Sequence, residues 1–412
     1  MNRSVLLIAF HYPPLATGSG LQRTLGFSRH LPAFGWQPIV LAPHPRAYAR
    51  VAPGDADALV PPGVIVERSF VLDAARHLSV AGRYPHRAAD PDRWATWRWS
   101  AVRAALRLIR RHRPAAIWST YPIATTMRIG MEVARRSGLP WIADFRDPMT
   151  DDGFPPEPER YRRMRAIEDA VLARANIVTV TTPGAARAFA ARRGGQPVAI
   201  IENAFDESDF AGLPAVSARA HDAPFTLLHS GTLYPNERDP RVFFDALAAL
   251  REAGDATERS LRVVLRATQN DAVLKPMLRE RGLERIVELA GPLPYRDALA
   301  EMCSADALLL LQASNCNAQI PAKLYEYLRA NRPILALTDP AGDTAWRLAE
   351  FPIARVAPLD GRDAIAAALR AMLACAGSDH CAAQEIAVHS REARTREFAR
   401  LLDSLVREAR SR

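Results

Sequence analysis

The chain has 412 residues, 49% apolar and 24% charged, which suffices for ordinary globular cores and excludes a disordered chain. Its 54 Lys and Arg outnumber 45 Asp and Glu, a formal charge of +9 that suits anionic partners such as nucleotide diphosphates, lipid phosphates or a membrane surface. Cys303, Cys316, Cys375 and Cys381 form no CxxC pair, which argues against a disulfide framework or zinc knuckle, His380 beside Cys381 notwithstanding, and fits a reducing cytoplasm.

No apolar run approaches the ~18 residues of a membrane span, and Ser4–Phe10 is too short and too early for a signal peptide. A helix-turn-helix, a zinc finger and an aromatic-basic RNA platform are all lacking, so nucleic acid is not an expected partner. A cytoplasmic protein is expected.

From the amino terminus, SVLLIAF (Ser4–Phe10) reads as a strand, HYPPLATGSG as a turn-rich loop, and Leu21, Leu25, Phe27, Ser28 and Leu31 recur at helical spacing. Further strands are expected at Gln37–Ala42, Ala115–Thr120, Trp141–Phe145, Ile177–Thr181 and Val198–Glu202, with helices between them. Short apolar strands alternating with helices imply a parallel sheet covered on both faces, a Rossmann-like domain. The helix around Trp94–Arg113 places Arg103, Arg107, Arg110 and Arg111 opposite Trp97, Ala101, Ala105 and Leu108. It reads either as an ordinary amphipathic helix on the sheet or as a basic helix suited to anionic lipid.

The pattern restarts with strand Phe225–His229, helix Val242–Arg251, strands Leu261–Arg266 and Ile286–Leu289, helix Tyr295–Cys303, and strands Ala307–Leu311 and Pro333–Leu337. The expected organisation is therefore two Rossmann-like domains, residues 1–205 and 206–380, followed by charged terminal helices at 381–412. The polar stretch Asn203–Ala223, containing Pro214, is the expected hinge.

The segment IPAKLYEYLRANRPILAL (Ile320–Leu337) is the most telling. Pro321 suits the first turn of a helix, and the unsatisfied N–H groups of that start, around Pro321, Ala322 and Leu324, seat a phosphate that Lys323 reinforces. Leu324, Tyr327 and Leu328 share one face, Lys323 and Glu326 the neighbouring edge, and Asn331 ends the helix. Ser230-Gly231-Thr232 follows a strand at its carboxyl end, where open parallel sheets bind ligands, and Gly231 lets the backbone come close. Gly18-Ser19-Gly20 is a flexible turn able to approach an anion, or simply a loop; Arg23 follows one helical turn later, as a fixed guanidinium or a salt-bridged surface residue. Asp144-Phe145-Arg146-Asp147-Pro148 packs three charges after a strand, either for acceptor-side chemistry or with Arg146 paired to Asp144 or Asp147 to hold the loop. No DxD-like motif marks a divalent-ion site, Asp151-Asp152 lying in a proline-rich loop, so no metal and no other cofactor is required.

Along nearly its whole length the chain resembles glycosyltransferase family 4, a GT-B family of two Rossmann-like domains facing each other across a cleft. PPLATGSGLQRTLGFSRHLPAFGWQPIVLAP resembles its amino-terminal loop, helix and strand, IENAFDESDF its interdomain turn with Ala204 for the usual glycine, and HSGTLYPNERDP the loop that opens the donor domain. The resemblance implies a retaining transfer of sugar from a nucleotide-diphosphate donor to a polysaccharide or lipid-linked acceptor. It makes Glu326 the acceptor of ribose hydroxyls, Arg238 and Lys323 the cations that neutralise the diphosphate, and Arg146 a neighbour of the donor sugar. The carboxyl-terminal helices would fold back on the first domain. Apart from the resemblance, the basic helix, where it is read as lipid-docking, adds to the expected cytoplasmic location a peripheral contact at the inner face of the cytoplasmic membrane. Two positions depart from the family: Ala318 stands where an earlier glutamate is usual, and Thr232 where an arginine is. The same architecture also serves sugar-nucleotide epimerases, and the two departures would suit a weakly catalytic scaffold subunit.

Overall fold

The computed structural model describes residues 3–15, 19–52, 59–84, 86–151, 154–213, 222–234, 237–374 and 381–411. Gly18, Asp152, Pro214, Cys375 and His380 lie outside them. The chain divides into two compact units, one of residues 1–203 and 391–412, the other of residues 204–390.

The first unit is built on seven parallel strands: β1 (Arg3–Ile8), β2 (Trp36–Pro43), β3 (Ile65–Ser69), β4 (Ala116–Thr120), β5 (Trp141–Phe145), β6 (Ile177–Val180) and β7 (Val198–Ile200). Their order is β3-β2-β1-β4-β5-β6-β7, with Leu7 opposite both Val40 and Trp118. Alternation along β1 explains why both faces are dry. Leu6 and Ile8 enter one core with Trp97, Ala101 and Met127, while Val5 and Leu7 enter the other with Phe27, Trp36 and Phe398. The second core is closed by helix Arg391–Ser411, whose Phe398 stacks on Phe27 at 4.7 Å and meets Trp118 at 5.9 Å. Asp403 anchors that helix by accepting from Trp36 Nε1 at 3.0 Å and pairing with Arg3 at 2.8 Å.

The second unit carries six parallel strands: β8 (Phe225–Ser230), β9 (Leu261–Arg266), β10 (Val287–Ala290), β11 (Ala307–Leu311), β12 (Ile334–Leu337) and β13 (Ala354–Ala357), in the order β10-β9-β8-β11-β12-β13. Strand order reverses between β1 and β4 in one sheet and between β8 and β11 in the other. Carboxyl ends beside such a reversal are where open α/β sheets take ligands.

Two strands were not expected from the sequence. IVERS of β3 and ARVA of β13 are edge strands with charged side chains, so they show neither an apolar run nor clean alternation. Helix Lys323–Ala330 starts two residues later than expected: Pro321 precedes the cap residue Ala322 rather than opening the helix. Asn331 ends it in the left-handed region at φ 53°. Among the described residues no helix is long and apolar enough to cross a membrane.

Candidate functional site

In the second unit, chemistry converges on the end of β8. Gly231 has φ +119°, and a β-carbon there would stand 2.8 Å from Lys323 Nζ, so glycine both permits the turn and leaves room for the amine. Lys323 Nζ donates to Ser230 O at 2.6 Å and lies 3.4 Å from His229 Nε2. His229 is fully buried, and its Nδ1, 2.9 Å from Leu309 O, carries the proton and donates, which leaves Nε2 as the lone pair facing the amine. Burial, then the Lys323 charge, holds this imidazole neutral, well below its ordinary pKa. Lys323 itself is lowered to about 7, by burial first and by Arg238 second, with Glu326 opposing.

Arg238 donates to Thr232 O at 2.9 Å and lies 5.1 Å from the Tyr234 ring centre, so both ends of the Ser230–Thr232 turn are held by cations. Tyr327, wholly buried, accepts from Ser230 N–H at 3.0 Å. Glu326 accepts from Tyr295 Oη at 2.8 Å. At the helix start the Leu324 amide bonds Pro321 O at 2.9 Å and the Tyr325 amide bonds Ala322 O at 3.2 Å. The amides of Ala322 and Lys323 meet no acceptor among the described residues, and these two N–H groups remain for an anion. Leu324 therefore needs correction as a ligand contact, because its amide is consumed within the turn and its side chain is in the core. Pro321 has no N–H to give and contributes only the turn. A cavity of about 410 Å3 at the carboxyl edge of the same sheet is lined by Asp239, Val242, Ala313, Ser314, Asp339 and Pro358 among others.

In the first unit the charged loop after β5 divides in two. Asp144 is fully buried, and its carboxylate accepts from Arg23 Nε at 3.0 Å, Arg23 Nη2 at 2.7 Å, Thr120 Oγ1 at 2.8 Å and Thr179 Oγ1 at 2.7 Å. Four donors occupy the carboxylate, so Asp144 is a structural anchor rather than a reacting group. Arg23 is correspondingly no surface residue. It is 1% exposed and also donates to Ile201 O and Glu202 O, stitching the strand ends together. Arg146 follows a different course: its Nε donates to Tyr121 O at 2.9 Å and its own carbonyl accepts from Thr181 Oγ1 at 2.8 Å. Asp147 next to it is exposed.

Gly20, in the first turn of helix Ser19–His30, faces this arginine. A β-carbon there would lie 2.8 Å from Arg146 Nη2 and 2.5 Å from His11 Nδ1. The structure thus brings Gly20, Arg146 and His11 together just past the end of β1. His11, lowered to about 4 by burial and then by Arg146, is neutral at physiological pH. Sequence reasoning passed over it as part of a turn-rich loop, though a histidine three residues beyond the last residue of a buried strand is the available signal. Beside this end of the sheet a second cavity, of about 490 Å3, is lined by Tyr84, Asp92, Trp94, Glu157, Arg160 and Arg163 among others. Among the described residues no group of three or more His, Cys, Asp or Glu is placed to hold a metal ion.

These two parallel-sheet domains define a protein of the GT-B fold. Sucrose-phosphate synthase from Thermosynechococcus elongatus matches at 14% identity over 98% of this chain and 97% of that one, with a TM-score of 0.65. HepE from Anabaena, solved with UDP-glucose, matches at 14% identity over 99% and 98%, TM-score 0.58. A UDP-GlcNAc 2-epimerase from Methanocaldococcus jannaschii matches at 10% identity over 98% and 99%, TM-score 0.54. Residues 19–204, within the first unit, match the model of the glycosyl transferase 4-like domain. No curated protein sequence matches it.

Proposed function

We propose that the chain is a glycosyltransferase that moves a sugar from a nucleotide-diphosphate donor to a glycan or lipid-linked acceptor, with retention of anomeric configuration and without a metal. One observation carries this reading: Lys323 and Arg238 hold the two ends of the turn at the carboxyl end of β8, and helix Lys323–Ala330 also offers the two open amides of Ala322 and Lys323 and presents Glu326. Such a cluster neutralises a departing diphosphate, the charge that grows as the glycosidic bond breaks. Glu326, held by Tyr295, takes the ribose hydroxyls; the turn at Gly231 and Thr232 admits the phosphates.

In the first unit Gly20, His11, Arg146 and Asp147 form the acceptor-side group, with Asp144 and Arg23 positioning it. The acceptor proton passes to the leaving phosphate, so no protein nucleophile is needed. Rate then comes from positioning and fixed charge. The match of residues 19–204 to the glycosyl transferase 4-like domain, and the solved structures of HepE with UDP-glucose and with UDP, support a nucleotide-sugar donor.

Calorimetric titration of the purified chain with UDP, GDP, ADP and their sugar conjugates tests it. One nucleotide class should saturate, and Glu326→Ala should weaken it by ~1.5–3 kcal/mol, the range for hydrogen bonds to a charged group. Unchanged affinity would remove Glu326 from the site, and no binding to any nucleotide would favour a scaffold role. The epimerase of the same fold motivates a second reading. Conversion of the bound sugar nucleotide with no acceptor present would favour it over transfer.

A further inference from the structure

Helices Trp97–His112 and Ala124–Ser137 pack side by side in the first unit and carry eight arginines and one acid, Glu132. They hold a net +7 of a chain whose total is +9, so this helix pair is strongly basic. Local acids do little to cancel it. Glu132 closes on Arg135, and Glu67 meets Arg107 at 3.3 Å. Arg103, Arg110 and Arg111 are exposed and have no acidic partner among the described residues.

The face is not merely charged. Trp99 is 73% exposed, and positions 99, 103 and 110 fall on one side of the helix, opposite the buried Trp97, Ala101, Ala104 and Leu108. Phe70, 53% exposed, flanks the same helix, its carbonyl accepting from Ser100 Oγ and its ring lying 5.6 Å from the Arg46 guanidinium. Two aromatic rings left in water beside unpaired guanidinium groups suit a boundary that offers apolar depth and anionic phosphate together. A duplex nucleic acid offers the phosphates without the apolar layer.

We propose that this face docks the protein on an anionic lipid bilayer, with Trp99 and Phe70 entering the headgroup layer and Arg103, Arg110 and Arg111 meeting lipid phosphates. The residues involved all belong to the first unit, so the docking is read without nucleotide and stands or falls separately from the donor site.

Sedimentation of the full chain with lipid vesicles is the test. Vesicles containing about one-third phosphatidylglycerol should bind it, pure phosphatidylcholine should not, and raising salt from ~0.1 M to ~0.5 M should release it. The double variant Arg103→Gln, Arg110→Gln should lower partitioning roughly thirtyfold, at about five- to sixfold per charge. Trp99→Ser should weaken vesicle binding while leaving retention on heparin unchanged. Both variants alter exposed side chains, so an unchanged melting temperature serves as the folding control. Failure of the wild type to bind anionic vesicles, or equal binding by the double variant, overturns the proposal. Retention on heparin or DNA without vesicle binding would replace it with a soluble polyanion as partner.

Discussion

Lys323 separates a ligand seat from a merely buried amine through its response to pH. In the free protein it is lowered to about 7, chiefly by burial. A bound diphosphate favours the charged form and should return the amine toward the ordinary lysine value of ~10.4. The complex then holds a proton that the free protein gives up above about pH 7, so alkaline conditions favour dissociation. Affinity for a sugar nucleotide should be flat below about pH 7 and fall about tenfold per pH unit above it. From about pH 6 to about pH 9 the loss is roughly 100-fold, near ~2.7 kcal/mol at ~1.36 kcal/mol per unit. A sugar nucleotide is the right ligand, because a terminal phosphate monoester would itself titrate near ~6. Calorimetry at about pH 8 in two buffers of different ionisation enthalpy should register uptake of ~0.9 proton per binding event. Lys323→Met should abolish both the slope and the uptake. A wild-type affinity independent of pH over that range would refute the assignment.

Other substitutions probe the scaffold around the two sites. Gly231→Ala puts a β-carbon 2.8 Å from Lys323 Nζ at a backbone angle that disfavours side chains, so it should lose ~1–3 kcal/mol of stability and weaken nucleotide binding; an unaltered urea midpoint and affinity would contradict that geometry. Asp144→Asn should cost ~3–5 kcal/mol in denaturant unfolding, because Arg23 keeps a buried charge without a carboxylate; a loss within the error of the melt would show the pair to be dispensable. Phe398→Ala should cost ~3–5 kcal/mol, measured the same way, by opening the core shared with Phe27 and Trp118, and a negligible change would mean the last helix adds little to the first unit.

Features that depend on local spacing were readable in the sequence, and features that depend on a distant partner were not. Leu227 and Leu228 in β8, or Leu308 to Leu311 in β11, announce buried parallel strands by composition alone. Glu67 and Arg68 in β3 obscure the edge, because an edge strand is half in water and carries charge there. Lys323, Glu326 and Asn331 stood out because a helix start and a helix stop have short signatures. Nothing in the spacing tells that Tyr295, 31 positions away, would hold Glu326, or that Arg23 would cross 121 positions to Asp144. The DFRDP loop is the instructive case: its three charges look alike in sequence, yet the fold buries Asp144 among four donors, ties Arg146 to Tyr121 and leaves Asp147 reachable from the surface in a setting whose burial raises its carboxyl pKa.

The last helix closes a core whose other walls are made near the start of the chain, and this bears on biosynthesis. Phe27, Trp36 and Trp118 belong to residues translated early, whereas Phe398 emerges only after the second unit, residues 204–390, has been made. At about 5–20 residues per second the ribosome needs roughly 10–40 s to cover that interval. Throughout it the core around Phe27, Trp36 and Trp118 lacks its last wall, whereas the second unit is complete as soon as residue 390 has been made. The unit begun first is thus completed last, and an aromatic surface waits in the cell for the final turns of the chain.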